Sequence, residues 1–431
     1  MKNLVYIYFF EAIVLWCFVS MGLFHKNNEV YSTILVSLFS LEFLYFFYTS
    51  NKKKSDFQIV YLFMIALIFR ICIMYYDIYV NTIEIADAGY YRRAAEKFFI
   101  TNETTLQGGK LTSLFLGTIY KILGLQRVVL PFIGCICFLG ACHLTNEILK
   151  ILKIQQNIRY ICIVWMLFTP QNLIVTSLSS REAYIIFLNT LSIYFCVLWW
   201  ENRKVSYLVK SILFLIFSIA FHAGSIAILV GEVLLIAFYD RKKEKLCIKW
   251  NTIFVFTIAI FIFLILFYNF RDTLFWKFNN VNEISDISMR AGTEVGRGGA
   301  TYSVPGAGAT SLGEILFYTP IRAIYFVLSP MPWDWRGIND LGAFAICSVP
   351  HLIITILFVK EVLRKDDIDK RRNLLIVFFV SAVLVAVIFG WAVKNAGTAI
   401  RHRDKFLCLY TLLLGLGLDL NVKKKVSENE Q

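Results

Sequence analysis

Apolar residues dominate the chain in runs of about 20 that recur along most of its length. An α-helix needs about 20 apolar residues to cross the hydrocarbon core of a bilayer. The pattern therefore predicts an all-α, polytopic membrane protein with about 12 transmembrane helices. The predicted spans lie near residues 4–24, 31–49, 57–80, 128–149, 160–178, 183–200, 206–221, 223–239, 252–270, 341–359, 373–393 and 405–420.

Two further apolar stretches, Leu111–Leu125 and Ile315–Ser329, are shorter than the others. We predict interfacial or re-entrant helices there, and the reason comes from charge. Lys and Arg collect in the short cytoplasmic loops of membrane proteins. If Lys52–Lys54 is cytoplasmic and 315–329 does not cross, the basic loop Lys360–Arg372 is cytoplasmic as well.

This charge pattern predicts that both termini are cytoplasmic, with a cytoplasmic tail at 421–431. Two long segments, 81–127 and 271–340, then become outer loops. Residues 1–431 are predicted to form a single integral membrane domain. Function is expected where the irregular, polar outer loops meet the ends of the helices.

The composition points away from a soluble enzyme. The chain is 58% apolar and 17% charged, with a mean hydropathy of +0.64, whereas soluble proteins are about 45–50% apolar and about 25% charged. The net charge of +13 lies largely in short loops that set orientation, so it does not indicate nucleic acid. The ten cysteines form no Cys-x-x-Cys pattern and predict neither a disulfide framework nor a metal site.

The first outer loop brings an acidic residue and two tyrosines to the predicted outer face, in the sequence Ala86-Asp87-Ala88-Gly89-Tyr90-Tyr91-Arg92-Arg93. Asp87 could act as a general base toward a sugar hydroxyl or hold a cation. The alternative is that Asp87 only caps a helix. Tyr90, Tyr91 and Arg92 are candidate substrate-binding residues.

Two span ends carry candidate anion-binding groups. Arg181 begins a predicted span, and its planar guanidinium suits a phosphate. Glu182 beside it is expected to be structural. His222 lies at a tight outer turn beside Gly224, where it could donate to a sugar or diphosphate oxygen or serve only in packing.

Two further clusters lie toward the C-terminus. Trp333, Asp334 and Arg336 follow a Pro-x-Pro motif, and they could bind a carbohydrate ring or belong to an aromatic membrane belt. The segment Arg401-His402-Arg403 precedes the last span. Its cations oppose the positive-inside tendency, so a bound diphosphate or an acidic residue such as Asp404 should compensate them.

Charged residues also lie at membrane depth, namely Glu11, Glu42, Arg70, Glu147 and Glu232. A transporter would use such residues for ion coupling, and a structural ion pair is the alternative. The polar clusters at the outer ends of spans favour an enzyme over a transporter. An acyltransferase would need a histidine facing a membrane tunnel, for which His143 is a candidate.

In order and context, these polar segments resemble the Wzy/EpsG-type polysaccharide polymerases, which are distantly similar to membrane glycosyltransferases of the GT-C class. The resemblance rests on Asp87-x-x-Tyr90, Arg181, His222 with Ser225 three residues on, and Arg401-His402-Arg403. It covers residues 57–420 through these short matches. The family pattern favours Ser two residues after the His, where this chain has Gly224 and then Ser225.

The resemblance implies a reaction at the outer face of a bacterial plasma membrane. A glycan on polyprenyl diphosphate would be transferred to the terminal sugar of another lipid-linked repeat unit. Arg181, Arg401 and Arg403 would stabilise the charge on the leaving diphosphate. Asp87 or His402 would take the proton of the acceptor hydroxyl.

The resemblance also predicts the remaining partners. Trp333, Asp334 and Arg336 would line the glycan path, and the short helices 111–125 and 315–329 would frame a lateral entry for the lipid. The expected partners are the polyprenyl-diphosphate-linked oligosaccharide, the bilayer and other polysaccharide-assembly membrane proteins, with no nucleic acid. No cofactor is firmly predicted, and a divalent metal is left open. A single-sugar GT-C transferase with a polyprenyl-phosphate sugar donor and a transporter of lipid-linked sugars remain alternatives.

Overall fold

The computed structural model describes residues 28–50, 57–83, 86–103, 110–240, 242–247, 311–364, 369–393 and 395–429, with single positions between 250 and 309. The predicted span near 4–24 lies outside the described residues. Most of the predicted span near 252–270 and the first part of the outer loop 271–340 lie outside them as well.

The described residues form two compact units, and the first contains the N-terminal helices together with residues 112–139 and 173–180. Its helices are α1 (Asn28–Ser50), α2 (Phe57–Tyr75), α3 (Ala86–Thr101), α4 (Lys110–Leu123) and the first part of α5 (Val129–Ile151). A short π-helical turn, Tyr76–Val80, extends α2. Stacked rings of Phe47 and Phe63, with centroids 4.0 Å apart, pack α1 against α2.

The buried Arg70 of α2 is held inside this first unit by several partners. Its guanidinium lies 4.4 Å from the centroid of the Phe138 ring, and its Nε donates to Thr176 Oγ1 at 3.2 Å. Its Nη1 donates to the carbonyl of Ala66 at 3.2 Å. A buried charge is costly unless it is bonded in this way, so Arg70 contributes to the core of the unit.

The second unit contains residues 140–172 and the chain from Arg181 onward. Its elements are α6 (Gln156–Phe168), the first part of α7 (Pro170–Val175), α8 (Glu182–Asn202), α9 (Val205–Phe221), α10 (Ile226–Phe238), α11 (Leu312–Leu328), α12 (Ile338–Ala343), α13 (Val349–Leu363), α14 (Arg371–Ala392), α15 (Ala396–Asp404) and α16 (Leu407–Asn429). A small antiparallel ribbon, β1 (Tyr239–Asp240) and β2 (Lys245–Leu246), pairs Tyr239 with Leu246.

In the described part of the chain, five helices are long and apolar enough to cross a membrane. They are Gln58–Val80, Val129–Ile151, Glu182–Asn202, Ile338–Leu363 and Arg371–Ala392. The pair α15 and α16, bent by 74°, would make a sixth if it forms one broken span. Shorter apolar helices accompany them. The chain is therefore an all-α membrane protein, and the count of twelve spans stays a prediction, as does the single domain over residues 1–431.

Most predicted segments coincide with helices, and two differ. The predicted span 160–178 is divided between α6 and α7 at Thr169–Pro170, because proline has no N–H to donate and its ring clashes with the preceding turn. The last helix, α16, continues to Asn429 into the predicted cytoplasmic tail. The short stretches predicted near 111–125 and 315–329 form α4 and α11.

Small residues let the helices of the second unit approach closely. A Cβ added at Gly390 of α14 would lie 2.8 Å from the backbone carbon of Arg322 in α11. At Gly231 of α10 the added Cβ would lie 1.9 Å from Ser381 Oγ in α14. Such contacts leave no room for a side chain, so α14 packs directly against α10 and α11.

A buried ion pair lies at the N-terminal end of α14, opposite the end that carries Gly390. Arg371 Nη1 lies 2.8 Å from Asp419 Oδ2 and also donates to the carbonyl of Leu152 at 3.0 Å. The other carboxylate oxygen, Asp419 Oδ1, accepts from the backbone N–H of Gln155 at 2.9 Å. These bonds satisfy both charges and tie α14 to α16 and to the turn before α6.

Candidate functional site

The candidate site is built from helix ends in the second unit. Arg181 is the N-cap residue of α8, which begins at Glu182. His222 is the C-cap of α9 and leads into a 3₁₀ turn, Ala223–Ser225. The short helix α15, which carries Arg401, has Asn395 as its N-cap residue, and the Asn395 side chain accepts from the N–H of Thr398.

A cluster of ionic side chains lies where α8 meets the bend between α15 and α16. Glu182 Oε1 lies 3.5 Å from Arg401 Nε and 3.5 Å from Lys405 Nζ. The side chains of Glu182 and Lys405 are only 2% and 0% exposed, and that of Arg401 is 17% exposed. Arg181 directly precedes Glu182 in the chain. It donates from Nη1 to the carbonyl of Phe221 at 3.2 Å.

Among the described residues of this region, cations outnumber carboxylates. Arg181, Arg401, Arg403 and Lys405 are set against the carboxylates of Glu182 and Asp404. Because these groups are largely buried, the excess positive charge is poorly screened by water. Guanidinium groups bind phosphate oxygens in a planar, bidentate geometry. The arrangement can therefore bind an anion.

A pair of histidines lies beside the ionic cluster. The ring centroids of His222 and His402 are 5.4 Å apart. Phe389 of α14 packs against both, with its centroid 5.4 Å from that of His222 and 4.5 Å from that of His402. Lys405 Nζ lies 3.4 Å from His402 Nδ1 and so joins the histidine pair to Glu182.

The turn after α9 needs a glycine at position 224. A Cβ added at Gly224 would lie 2.4 Å from Phe389 Cζ and 3.1 Å from His222 Nε2. Contacts under 3.0 Å would force the ring of Phe389 to move. Gly224 therefore permits the close packing of His222 on Phe389.

A chain of hydrogen bonds fixes the bend between α15 and α16. The carbonyl of Lys405 accepts from Asn189 Nδ2 at 3.0 Å, and Asn189 Oδ1 accepts from Ser218 Oγ at 2.6 Å. Ser218 Oγ in turn lies 2.9 Å from Ser225 Oγ. A bend leaves helix carbonyls without their usual partners, and Asn189 supplies one. The same chain ties the bend to α8, to α9 and to the turn that follows His222.

Arg403 is directed toward a different structural element. Its Nη1 donates to the carbonyls of Phe326, at 3.1 Å, and Val327, and its Nη2 donates to that of Ser329 at 2.9 Å. These are the last carbonyls of α11 and the first of the loop that follows. A cation at a helix C-terminus satisfies such groups and favours the helix dipole. These contacts assign Arg403 a positioning role, and its catalytic role stays a prediction.

The predicted carbohydrate-binding residues lie in the loop that Arg403 anchors. Trp333 is 68% exposed and donates from Nε1 to Tyr325 OH at 2.8 Å. Arg336 pairs with Asp340 at 3.7 Å. Partial burial raises the pKa of the Asp334 carboxyl, and the nearby guanidinium of Arg336 opposes that rise. The contacts of Trp333 and Arg336 lie within this loop, α11 and α12, rather than at the histidine pair.

The candidates of the first outer loop lie in α3, in the first unit. Asp87 is the second residue of α3, and its side chain lies outside the described residues. The rings of Tyr90 and Tyr91 meet edge to face at 5.5 Å, with Tyr90 exposed and Tyr91 buried. Arg92 pairs with Glu96 one helical turn later at 3.6 Å. The predicted roles of these four residues stay predictions.

Two residues of the site were not among the sequence candidates. Lys405 begins the predicted last span, yet it contacts both Glu182 and His402. Its position directly after a basic cluster was the available signal. Phe389 lies in an apolar run whose sequence gives no sign of contact with histidine. Among the residues that the structure describes, no group of three or more His, Cys, Asp or Glu side chains could hold a metal ion.

Comparison of the chain with protein-family models, curated proteins and solved structures finds no significant match.

Proposed function

We propose that this protein is a membrane glycosyltransferase that polymerises a surface polysaccharide. It transfers a polyprenyl-diphosphate-linked glycan to the terminal sugar of another lipid-linked repeat unit. The observation that carries the proposal is the cluster of Arg181, Arg401 and Lys405 around Glu182, with His222 and His402 beside it. A cationic site lined by imidazoles suits a diphosphate that gains negative charge as it leaves.

The proposed chemical step breaks the bond between the anomeric carbon of the donor glycan and the diphosphate oxygen. The diphosphate leaves with the bonding electrons, and the acceptor hydroxyl oxygen forms the new glycosidic bond. Arg181 and Arg401 stabilise the leaving charge, because a preorganised cation gains most where charge develops. The proton of the acceptor hydroxyl goes to a base, for which Asp87 and His402 are the candidates.

The proposed location is the outer face of a bacterial plasma membrane, in a chain of twelve spans with both termini cytoplasmic. The site residues lie at helix ends, since Glu182 begins α8, His222 ends α9 and Arg401 lies in the last turn of α15. Polar groups at helix ends suit chemistry at a membrane surface. A transporter would instead be expected to bind its substrate near the bilayer midplane.

The glycan and lipid would enter along two further elements. Trp333, Asp334 and Arg336 would line the path of the glycan, because an exposed indole offers a face for a sugar ring. The short apolar helix α11 would line the entry for the polyprenyl chain. Arg403 supports this arrangement by bonding to the carbonyls that begin the loop carrying Trp333.

A second candidate function is a transporter of lipid-linked sugars, and the buried carboxyl of Glu232 favours it. Glu232 is 3% exposed, and Ser192 and Ser211 donate to its two oxygens at 2.7 and 2.8 Å. Buried carboxyls within membrane helices can carry coupling protons. A single-sugar transferase with a polyprenyl-phosphate donor would use the same cationic site.

The test uses a strain that carries this gene and its polysaccharide locus. Surface-glycan length is compared on a gel for the wild type, Arg181→Ala and Arg401→Ala at equal protein levels. Arg364→Ala is the control, because Arg364 pairs with Glu361 away from the site. Collapse to a single lipid-linked repeat unit in both variants supports the polymerase.

Two other outcomes argue against the proposal. Full-length polymer in both Arg variants would remove the proposed diphosphate site. Loss of all surface-exposed units, with complete units retained inside the cell, would favour the transporter.

A further inference from the structure

A lysine that is completely buried lies between the carboxylate and one histidine of the candidate site. Lys405 has a side-chain exposure of 0%, and its Nζ lies 3.5 Å from Glu182 Oε1 and 3.4 Å from His402 Nδ1. We infer that Lys405 is a positioning residue that holds His402 as the neutral imidazole with its proton on Nε2. Within the proposed function, His402 then donates a hydrogen bond to the leaving diphosphate and does not act as the base.

The chemistry of the lysine determines which group donates in the contact between Lys405 and His402. An ammonium group has three donors and no acceptor. Glu182, 3.5 Å away, favours the charged form of Lys405, whereas its complete burial and the neighbouring Arg401 oppose that form. As an ammonium paired with Glu182, Lys405 donates to His402 Nδ1, and Nδ1 accepts through its lone pair. A neutral imidazole that accepts at one nitrogen carries its proton on the other, which here is Nε2.

Neighbouring helices restrain both partners of the contact between Lys405 and His402. The backbone carbonyl of Lys405 accepts from Asn189 Nδ2 at 3.0 Å, so α8 fixes the position from which its side chain starts. The imidazole of His402 lies against the ring of Phe389, with centroids 4.5 Å apart. The backbone of Lys405 and the ring of His402 are therefore each restrained by a separate helix, and the ion pair with Glu182 restrains Nζ.

The inferred tautomer has a consequence for catalysis. A general base must offer a lone pair to the acceptor hydroxyl. In the inferred tautomer the Nδ1 lone pair is taken by Lys405, and Nε2 carries a proton. His402 can then stabilise a developing oxyanion through Nε2–H, which is the role that positioned donors play in such sites. The acceptor proton then goes to a base other than His402.

The neighbouring charged groups agree with this assignment. Arg401 and Lys405 are cations on either side of His402 in the chain, and Glu182 pairs with both. The ring of His222 lies 5.4 Å from that of His402, and the third ring of the group, Phe389, is uncharged. The described ion pairs of Glu182 are therefore those with Arg401 and Lys405.

The tautomer can be measured without any activity assay. The full chain is labelled with ¹⁵N-histidine, placed in lipid nanodiscs and examined by solid-state NMR, with the His402 signals identified by their loss in His402→Gln. We expect a pyridine-like Nδ1 and a pyrrole-like Nε2 for His402 in the wild type. In Lys405→Met this pattern should be lost or mixed. In Lys150→Met, which removes a lysine paired with Glu147 at 2.8 Å, it should persist.

A proton on Nδ1 of His402 in the wild type, or on both nitrogens, would overturn the inference. The wild-type spectrum decides this point even if Lys405→Met fails to fold. The spectrum also tests the tautomer independently of the polymerase proposal. If His402 carries its proton on Nε2 but no glycan is transferred, only the proposed function is contradicted.

Activity variants test the donor role. The amide N–H of glutamine can replace Nε2–H, so His402→Gln should keep glycan transfer within about tenfold of the wild type, while His402→Ala should lose about 10²–10³-fold. An equal loss in both variants, at equal protein levels, would identify His402 as the base and overturn the donor role.

Discussion

The imidazoles of His222 and His402 lie with ring centroids 5.4 Å apart, although one residue ends α9 and the other lies in α15. Phe389 of α14 packs against both rings. Three separate elements therefore determine the geometry of the pair. A change at any of these contacts should affect the site more than it affects the fold.

Gly224→Ala should displace the histidine pair. The new Cβ would lie 2.4 Å from Phe389 Cζ, so the phenyl ring must move and carry the packing of His222 and His402 with it. We expect a loss of about 1–3 kcal/mol in stability, because overpacking a close contact forces side chains from their preferred positions. We also expect a loss of glycan transfer that is larger than the stability loss explains. Thermal unfolding in detergent and a transfer assay measure the two effects.

The matched control for this prediction is Gly342→Ala in α12. A Cβ at Gly342 would meet nothing within 4 Å, so the substitution should leave both stability and transfer unchanged or slightly raise stability. Wild-type transfer in Gly224→Ala would show that the ring packing has no role in the site.

Arg403 and Arg401 should differ in what their loss affects. Arg403→Lys cannot reproduce three hydrogen bonds to the carbonyls that end α11, and it should destabilise the protein by about 2–4 kcal/mol. Arg401→Ala leaves Glu182 still paired with Lys405, so it should cost less stability and mainly reduce transfer.

Unfolding temperature and transfer rate, measured for the two variants side by side, check this division. Equal losses of stability in Arg403→Lys and Arg401→Ala would contradict it. A stable, inactive Arg403→Lys protein would instead return Arg403 to the catalytic group.

Glu182→Gln should unbalance the ionic cluster. It leaves Arg401 and Lys405 without their carboxylate in a buried position, which should cost about 3–5 kcal/mol. An added anion should then restore part of that loss. We therefore expect inorganic diphosphate to raise the unfolding temperature of Glu182→Gln more than that of the wild type.

Glu147→Gln is the control for this experiment. Its pair with Lys150 is partly exposed, with side-chain exposures of 31% and 23%, and such pairs contribute only about 0–1 kcal/mol. If diphosphate stabilised Glu182→Gln no more than it stabilised Glu147→Gln, the cluster would not be an anion site.

Glu232→Gln separates the enzyme from the transporter. The glutamine side chain can still accept from Ser192 and donate to Ser211, so stability should stay within about 1 kcal/mol of the wild type. A glycosyltransferase should keep its polymer length, because Glu232 lies outside the cationic site. Trapping of complete lipid-linked units inside the cell, with a stable Glu232→Gln protein, would favour proton-coupled transport.

The apolar pattern predicts most of the described helices, because a run of apolar residues defines a membrane helix without reference to its neighbours. The same local reasoning identified Arg181, His222, Arg401 and His402. The structure brings these residues together in one unit. Their shared feature is a polar residue at the end of an apolar run, which is visible in the sequence.

The partners of these residues could not be predicted in the same way. Lys405 begins the predicted last span. In the structure it lies at the 74° bend between α15 and α16, where it contacts Glu182. Arg403 resembles Arg401 in sequence, yet its contacts lie on α11, far along the chain. Such contacts depend on which helices pack together, and neither the hydrophobic periodicity nor the charge pattern of the sequence predicts that packing.

The most direct test of the proposed function uses the purified protein in lipid nanodiscs with a polyprenyl-diphosphate-linked repeat unit. Released polyprenyl diphosphate and glycan length are followed together by mass spectrometry for the wild type, Arg401→Ala and the control Lys150→Ala. We expect one polyprenyl diphosphate to be released for each glycosidic bond formed, with a rate about 10²-fold or more lower in Arg401→Ala and unchanged in Lys150→Ala. Absence of any release or chain growth with the wild type, or an unchanged rate in Arg401→Ala, would contradict the proposed transfer at this site.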